Sequence, residues 1–249
     1  LLAVEIPKRR DIRNTITFTI DPADAKDFDD ALSVETLPSG EIEIGIHIAD
    51  VSAYVKPHMA IDEEARNRAT SIYLVDRVIP MLPEVLSNDL CSLNEKEDKL
   101  TFSAVFTFPA DVLTDPTKPA AHTKEWFGRT VMHSDKRFTY EEAQKILDDK
   151  AGLFYDELLI LRTIGKKLED QNREAGAITF QSDEVKFILD ENKKPIGVYR
   201  KVPQDTNKLI EEFMLLANRK VAQFVARKLE ADKLEGLFVY RIHDEPNPE

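Results

Sequence analysis

The chain has 249 residues, 46 acidic and 34 basic, for a formal net charge of −12, and a single cysteine, Cys91. A length of this order buries a sizeable core in one large domain or two small ones. A lone cysteine excludes an internal disulfide and fits a reducing compartment, and the acidic balance argues against a free-standing nucleic-acid-binding module, whose affinity comes largely from Lys and Arg contacts to phosphate. No run of eighteen apolar residues and no signal-peptide pattern occurs, so a soluble, cytoplasmic protein with no membrane partner is expected.

Residues 15–20, Thr-Ile-Thr-Phe-Thr-Ile, alternate polar and apolar and read as a strand. The next ten, 21–30, carry five carboxylates against one lysine, Lys26. Residues 31–37 and 41–48 flank Pro38, Ser39 and Gly40 and read as a hairpin. On its second arm Ile42, Ile44, Ile46 and Ile48 share one face, with Glu41, Glu43 and His47 on the other. His47 has no Cys or His at ligand spacing, so it reads as a strand-surface or hydrogen-bonded histidine. Residues 61–71 read as a short helix, with Tyr73 just beyond it. Leu100, Phe102, Ala104, Phe106 and Phe108 alternate with Thr101, Ser103, Val105 and Thr107 in a long strand, followed by a loose loop at 109–119 and a weaker strand at 126–133. The period then changes. Thr139 and Glu142 make a capping-box pattern opening a helix to about residue 147, and residues 154–173 are helical by the spacing of Leu158, Leu161 and Leu168. A second hairpin joins 185–190 to 195–202. An amphipathic helix at 207–229 carries Leu209, Phe213, Leu216, Val221 and Phe224. With no linker or repeat to divide it, the chain reads as one α+β domain.

Two carboxylates about 4 Å apart repel by roughly 1 kcal/mol in bulk water and several-fold more when partly buried. The acidic decapeptide joins two strands, where side chains are aimed by the sheet, and such convergence makes sense with a divalent cation between the oxygens. Hard oxygen ligands suit Mg²⁺, with Mn²⁺ as a substitute. A solvated acidic loop is the bland alternative. An EF-hand is not: loops begun at Asp21 or Asp27 put alanine at ligand positions, one begun at Asp24 puts Lys26 and Phe28 there, and none has glycine sixth. Basic residues are dense at Lys8, Arg9, Arg10 and Arg13, and again at Arg219, Lys220, Arg227 and Lys228, either as nucleic-acid contacts or as solvated surface.

The pattern Asp21, five residues, Asp27, one residue, Asp29-Asp30 resembles the catalytic signature of the ribonuclease II / ribonuclease R family. Blocks at 46–55, 79–83, 86–93 and 209–218 resemble later blocks of the same domain in the same order, most of all those of bacterial ribonuclease R. The resemblance implies a metal-dependent, hydrolytic 3′→5′ exoribonuclease that degrades single-stranded RNA processively to nucleoside 5′-monophosphates. Its fold would be a mixed, largely antiparallel sheet wrapped by helices around an RNA channel. By the same resemblance Asp21, Asp27, Asp29 and Asp30 would hold Mg²⁺ and Asp29 would be the residue whose loss most directly stops catalysis. Tyr73 and Phe180 would stack on bases near the 3′ end, and Glu211 would lie near the terminal ribose. Core aromatics and a solvated helix face are the competing readings of those three. Asp24 falls at a position the pattern leaves free. The Ser-Pro-Ile-Arg-Arg-Tyr-like segment that supplies an arginine to the scissile phosphate in this family does not occur before Glu249. Residues 1–249 are therefore expected to be the N-terminal portion of the catalytic domain of a monomeric parent, without its cold-shock-like and S1 domains. Another two-metal phosphoester hydrolase and a non-catalytic RNA-binding relative stay open as alternatives.

Overall fold

The computed structural model describes residues 2–177, 184–233, 235, 236 and 238–240. In chain order the strands are β1 (Arg10–Asp11), β2 (Thr17–Asp21), β3 (Asp30–Thr36), β4 (Ile42–Ala49), β5 (Ile72–Tyr73), β6 (Val78–Ile79), β7 (Asp98–Phe108), β8 (Lys124–His133), β9 (Lys136–Thr139), β10 (Glu184–Leu189) and β11 (Pro195–Lys201). The helices are α1 (Leu2–Glu5), α2 (Ala60–Arg68), α3 (Tyr140–Asp149), α4 (Tyr155–Glu174) and α5 (Asp205–Asp232). Seven strands join in one sheet of order β1-β8-β7-β4-β3-β2-β9, and the hairpins β5–β6 and β10–β11 stay apart from it. Its inner pairs are antiparallel and its two outer pairs, β1–β8 and β2–β9, are parallel. The fold is thus α+β on a mixed, largely antiparallel sheet.

One face of the sheet builds the core. Phe18, Ile20, Leu32, Val34, Ile42, Ile44, Ile46, Phe106 and Phe108 bury against Leu147 of α3, Leu158, Leu161 and Ile164 of α4, and Leu209 and Phe213 of α5. The helices start where the sequence places them: Thr139 accepts from the Glu142 amide while Glu142 reaches back, closing the capping box. The expected loose loop at 109–119 is instead fastened. Val112 is fully buried, and the Lys167 ammonium donates to the carbonyls of Asp115 and Lys118 at 2.7 Å each.

Exposure departs from the alternation on both faces. Ile48, expected inside, is 42% exposed, as is its cross-strand neighbour Phe102 at 43%. On the other face, the one that carries Glu41 and Glu43, His47, Ser103, Thr101 and Thr130 are completely buried. His47 is hydrogen-bonded, as one of its two readings had it, but it lies inside and not on the strand surface. Its Nδ1 meets Ser103 Oγ at 2.7 Å and its Nε2 meets Ser33 Oγ at 2.8 Å. Gly45 makes the room, because a Cβ there would lie 2.5 Å from the ring. The cover is non-local: the Arg9 side chain lies across the strands, donating to the carbonyls of Thr101 and Thr130 and pairing with Asp50 at 2.7 Å, both partners buried. The N-terminal basic group is therefore neutralised from within, since Arg10 pairs with Glu43 and Arg13 with Asp11 and Asp98. In the second group Arg227 pairs with Glu125 and Lys228 with Asp232. Among the described residues no helix is long and apolar enough to cross a membrane.

Candidate functional site

The acidic decapeptide is the turn between the neighbouring strands β2 and β3. Their pairing ends at Phe18–Leu32; Asp21 is the last residue of β2 and Asp30 the first of β3. Asp21 is 8% exposed, and its Oδ2 is buried without a hydrogen-bond partner. Burial pushes its pKa up to about 7, with Asp30 and Asp29 adding to the rise and Arg137 opposing it. The Thr19 hydroxyl also draws it down, yet closes no hydrogen bond of normal geometry and is itself buried and unpartnered. Asp30 is raised to about 6 by burial and then by Asp29. Asp29, more open to solvent, is raised in the same direction by desolvation and by Asp27. The coupling runs Asp21, Asp30, Asp29, Asp27, the four positions of the motif.

The turn is held from three sides. Ser92 Oγ accepts the Phe28 amide at 3.0 Å, and the Leu93 amide donates to the Phe28 carbonyl at 2.8 Å. The Ala49 amide donates to the Asp29 carbonyl at 2.9 Å. The Phe28 ring packs on Ile12, Ala31, Leu93 and Met132, so an apolar anchor sits between Asp27 and Asp29 and leaves both carboxylates outside. Asp24, at the free position, is exposed and faces Lys186 of β10 at 3.6 Å.

The donor set fits a hard divalent cation on two counts: an unpartnered buried carboxylate oxygen, and three acids, Asp21, Asp29 and Asp30, raised by burial first and by neighbouring carboxylates after it, which positive charge would relieve. The side chains do not close on one point as they stand. Among the described residues no three of His, Cys, Asp or Glu are gathered tightly enough to hold an ion.

The other expected contacts lie elsewhere. Tyr73, on β5, is 71% exposed, which excludes the core-aromatic reading. Glu211 is exposed on α5 and pairs with Lys208 at 2.9 Å. Neither shares a hydrogen bond or ion pair with the aspartates among the described residues. Phe180 lies outside the described residues. Sequence reasoning missed three neighbours of the turn: Ser92, Arg137 and Tyr140. Burial, with Asp30 and Asp21 adding to it, pushes the Tyr140 hydroxyl up to about 12, and the Asn207 side chain hydrogen-bonds it. Asn207 stands one helical turn before Glu211 on α5.

Fold and site together define an α+β domain with an acidic centre at a strand-to-strand turn. The chain belongs to the RNB domain family, whose profile matches residues 9–249. It is 42% identical to ribonuclease R of Thermotoga maritima over 97% of this chain and 33% of that protein. It is 35% identical to the inactive exonuclease DIS3L2 of Arabidopsis thaliana over 98% of this chain and 23% of that protein. Among solved structures, Mycoplasma genitalium RNase R in complex with ribose-methylated single-stranded RNA superposes with a TM-score of 0.78 at 31% identity, covering 88% of this chain and 34% of that one. The chain thus spans about a third of the length of the ribonucleases R it matches.

Proposed function

We propose that this chain is the acidic half of the catalytic centre of a metal-dependent, hydrolytic 3′→5′ exoribonuclease that degrades single-stranded RNA processively to nucleoside 5′-monophosphates. A cytoplasmic setting and a monomeric parent go with that reading. The observation that carries it is the Asp21 oxygen, buried without a partner at the head of four coupled aspartates. Family membership alone does not, since the relatives include one named inactive. A scaffold that only bound RNA would have no use for like charges held together against about 1 kcal/mol or more of repulsion per close pair. The solved relative bound to single-stranded RNA supports the substrate class.

In this reading Asp21, Asp27, Asp29 and Asp30 hold Mg²⁺, or Mn²⁺ in its place. The bound ions supply an activated water and relieve charge on the attacking and leaving oxygens. Asp21 and Asp30, the more buried pair, fix the ends of the turn, while Asp27 and Asp29 face outward toward an incoming phosphate. Tyr73 and Phe180 stack on bases near the 3′ end, and Glu211 meets the terminal ribose.

The deciding experiment digests single-stranded RNA, 5′-labelled and in parallel uniformly labelled, with the chain in its natural flanking sequence, with Mg²⁺ and then with EDTA. Conversion of full-length RNA to mononucleotides without accumulated intermediates, and only in Mg²⁺, is expected; cleavage that survives chelation, or internal fragments, would defeat the reading. Tyr73→Ala is expected to weaken binding of short single strands by about 1–3 kcal/mol. Thermal stability should hold, because the ring is mostly in solvent. Unchanged RNA affinity in a binding titration would remove Tyr73 from the site.

A further inference from the structure

β9 is a short edge strand that lies parallel to β2, with Arg137 opposite Thr19 and Thr139 opposite Asp21. Because side chains alternate along both strands, Thr19, Asp21 and Arg137 stand on one face of this pair. Each of the three carries a buried polar atom without a partner: Thr19 Oγ1, Asp21 Oδ2 and Arg137 Nε. Unsatisfied buried groups are scarce in folded proteins and expensive, so three together mark a place where something other than packing is at work.

The Arg137 guanidinium reaches both ends of the acidic turn. Its terminal nitrogen donates to the Pro22 carbonyl at 2.6 Å, one residue past Asp21. The same group lies over the Phe28 ring at 5.3 Å from its centroid, between Asp27 and Asp29. Its strand is fixed in turn: the Arg137 amide and the Lys136 ammonium both donate to Glu95 Oε2, at 3.0 and 3.1 Å. We propose that Arg137 is the positioning residue of the acidic turn, a planar clamp that ties the Asp21 end to the Asp27–Asp29 end and so sets the spacing of the four carboxylates. A guanidinium suits both contacts at once, since it is broad enough to lie over the ring while a terminal nitrogen donates to the carbonyl; an ammonium is a compact point donor less able to do both. The inference builds on the reading of the four aspartates as the RNA-cutting centre, but the clamp itself does not depend on it.

The test compares Arg137→Met and Arg137→Lys with the unaltered protein, in its natural flanking sequence, by amide hydrogen exchange over residues 23–29 and by steady-state RNA digestion in Mn²⁺. Exchange of the turn is expected to accelerate about tenfold or more in both variants. In parallel kcat should fall by about 10–100-fold while KM for RNA stays within about threefold, as is usual when a group that orients metal ligands is removed. Unchanged exchange in the variants overturns the clamp, as does full restoration of wild-type exchange and kcat by lysine. Faster exchange with wild-type kcat overturns its bearing on catalysis. If the unaltered protein neither cuts RNA nor takes up Mn²⁺ while the variants still loosen the turn, the nuclease reading fails and the clamp stands. Should Arg137→Met fail to fold, Arg137→Lys, which keeps the charge, carries the comparison.

Discussion

Replacing Asp21 by Asn is expected to make the metal-free protein more stable above neutral pH and, at the same time, to stop RNA cleavage. The two effects have one cause. Asp21 ionises at about 7 in the fold instead of near 3.8, so the folded state prefers its protonated form. An acid raised in this way stabilises the fold below its ordinary value and loses that contribution as pH rises through about 7. At roughly 1.36 kcal/mol per unit, the ionised side chain costs the metal-free fold up to about 4 kcal/mol at around pH 8, and about half of that is a fair expectation once relaxation is allowed for. Asn has the same shape and no charge to bury. In EDTA at about pH 8, Asp21→Asn should therefore raise unfolding free energy by roughly 2–4 kcal/mol, with the gain vanishing near pH 4. Adding Mg²⁺ should stabilise the unaltered protein and not the variant, which narrows the gap by mass action. Asp29→Asn serves as the comparison. Its carboxylate is more open to solvent, so it should bring little stability, while cleavage falls by about 10²–10³-fold or more, as for loss of a group that stabilises developing charge. Chemical denaturation in EDTA and RNA digestion in Mg²⁺ read the two arms. No gain of stability in Asp21→Asn would show that the burial argument is wrong; retained cleavage in either variant would take that residue out of the centre.

The acidic turn was legible because its information is local. Four aspartates in a fixed spacing, between two alternating segments, specify both the strand ends and the charge problem, and the coupling found in the fold follows the same four positions. The central strands and the helices were legible for a related reason: periods of two and near four report burial on one face. What failed to show was everything that depends on a distant partner. β9 has four residues and no alternation to speak of, and pairs with β2 more than a hundred positions earlier, so Arg137 fell between a strand read to residue 133 and a helix opened at Thr139, and in neither. Ser92 sat inside a block that resembled the family, but only the fold shows its hydroxyl holding the Phe28 amide. Ile48 and Phe102 keep perfect alternation and are still exposed where Ile42, Ile44 and Ile46 on the same strand face are buried, and period alone does not report where along a strand the cover stops.

His47 is the sharpest case of a non-local cover, and it carries the second large effect. The ring stands between two serine hydroxyls, continued from Ser103 to Thr130 at 2.5 Å and from Thr130 to Thr101 at 2.6 Å. Neutral imidazole suits this chain, because one ring nitrogen donates, the other accepts, and hydroxyls rotate to serve either. A protonated ring has two donors, no carboxylate among these partners to balance its charge, and Arg10 near enough to repel it. Burial first, and then Arg10, push its pKa down to about 3 from an ordinary 6.5. The sign is opposite to that of Asp21: His47 contributes stability that is complete above about 6.5 and is lost as pH falls toward 3. Between about pH 7 and pH 5 the loss is roughly 2 kcal/mol, from 1.5 units at 1.36 kcal/mol each. The raised aspartates gain stability over the same interval, so the total will mask the histidine unless it is isolated by difference. His47→Gln does this, because glutamine has no charge to acquire. At about pH 7 the variant should be less stable by roughly 2–3 kcal/mol through lost hydrogen bonds and packing, and near pH 5 the gap should close to about zero. Urea unfolding of both proteins at the two pH values measures it. A gap of constant size would mean that His47 takes its proton within the fold, and the serine–histidine–serine chain would then have to be redrawn with a cation at its centre.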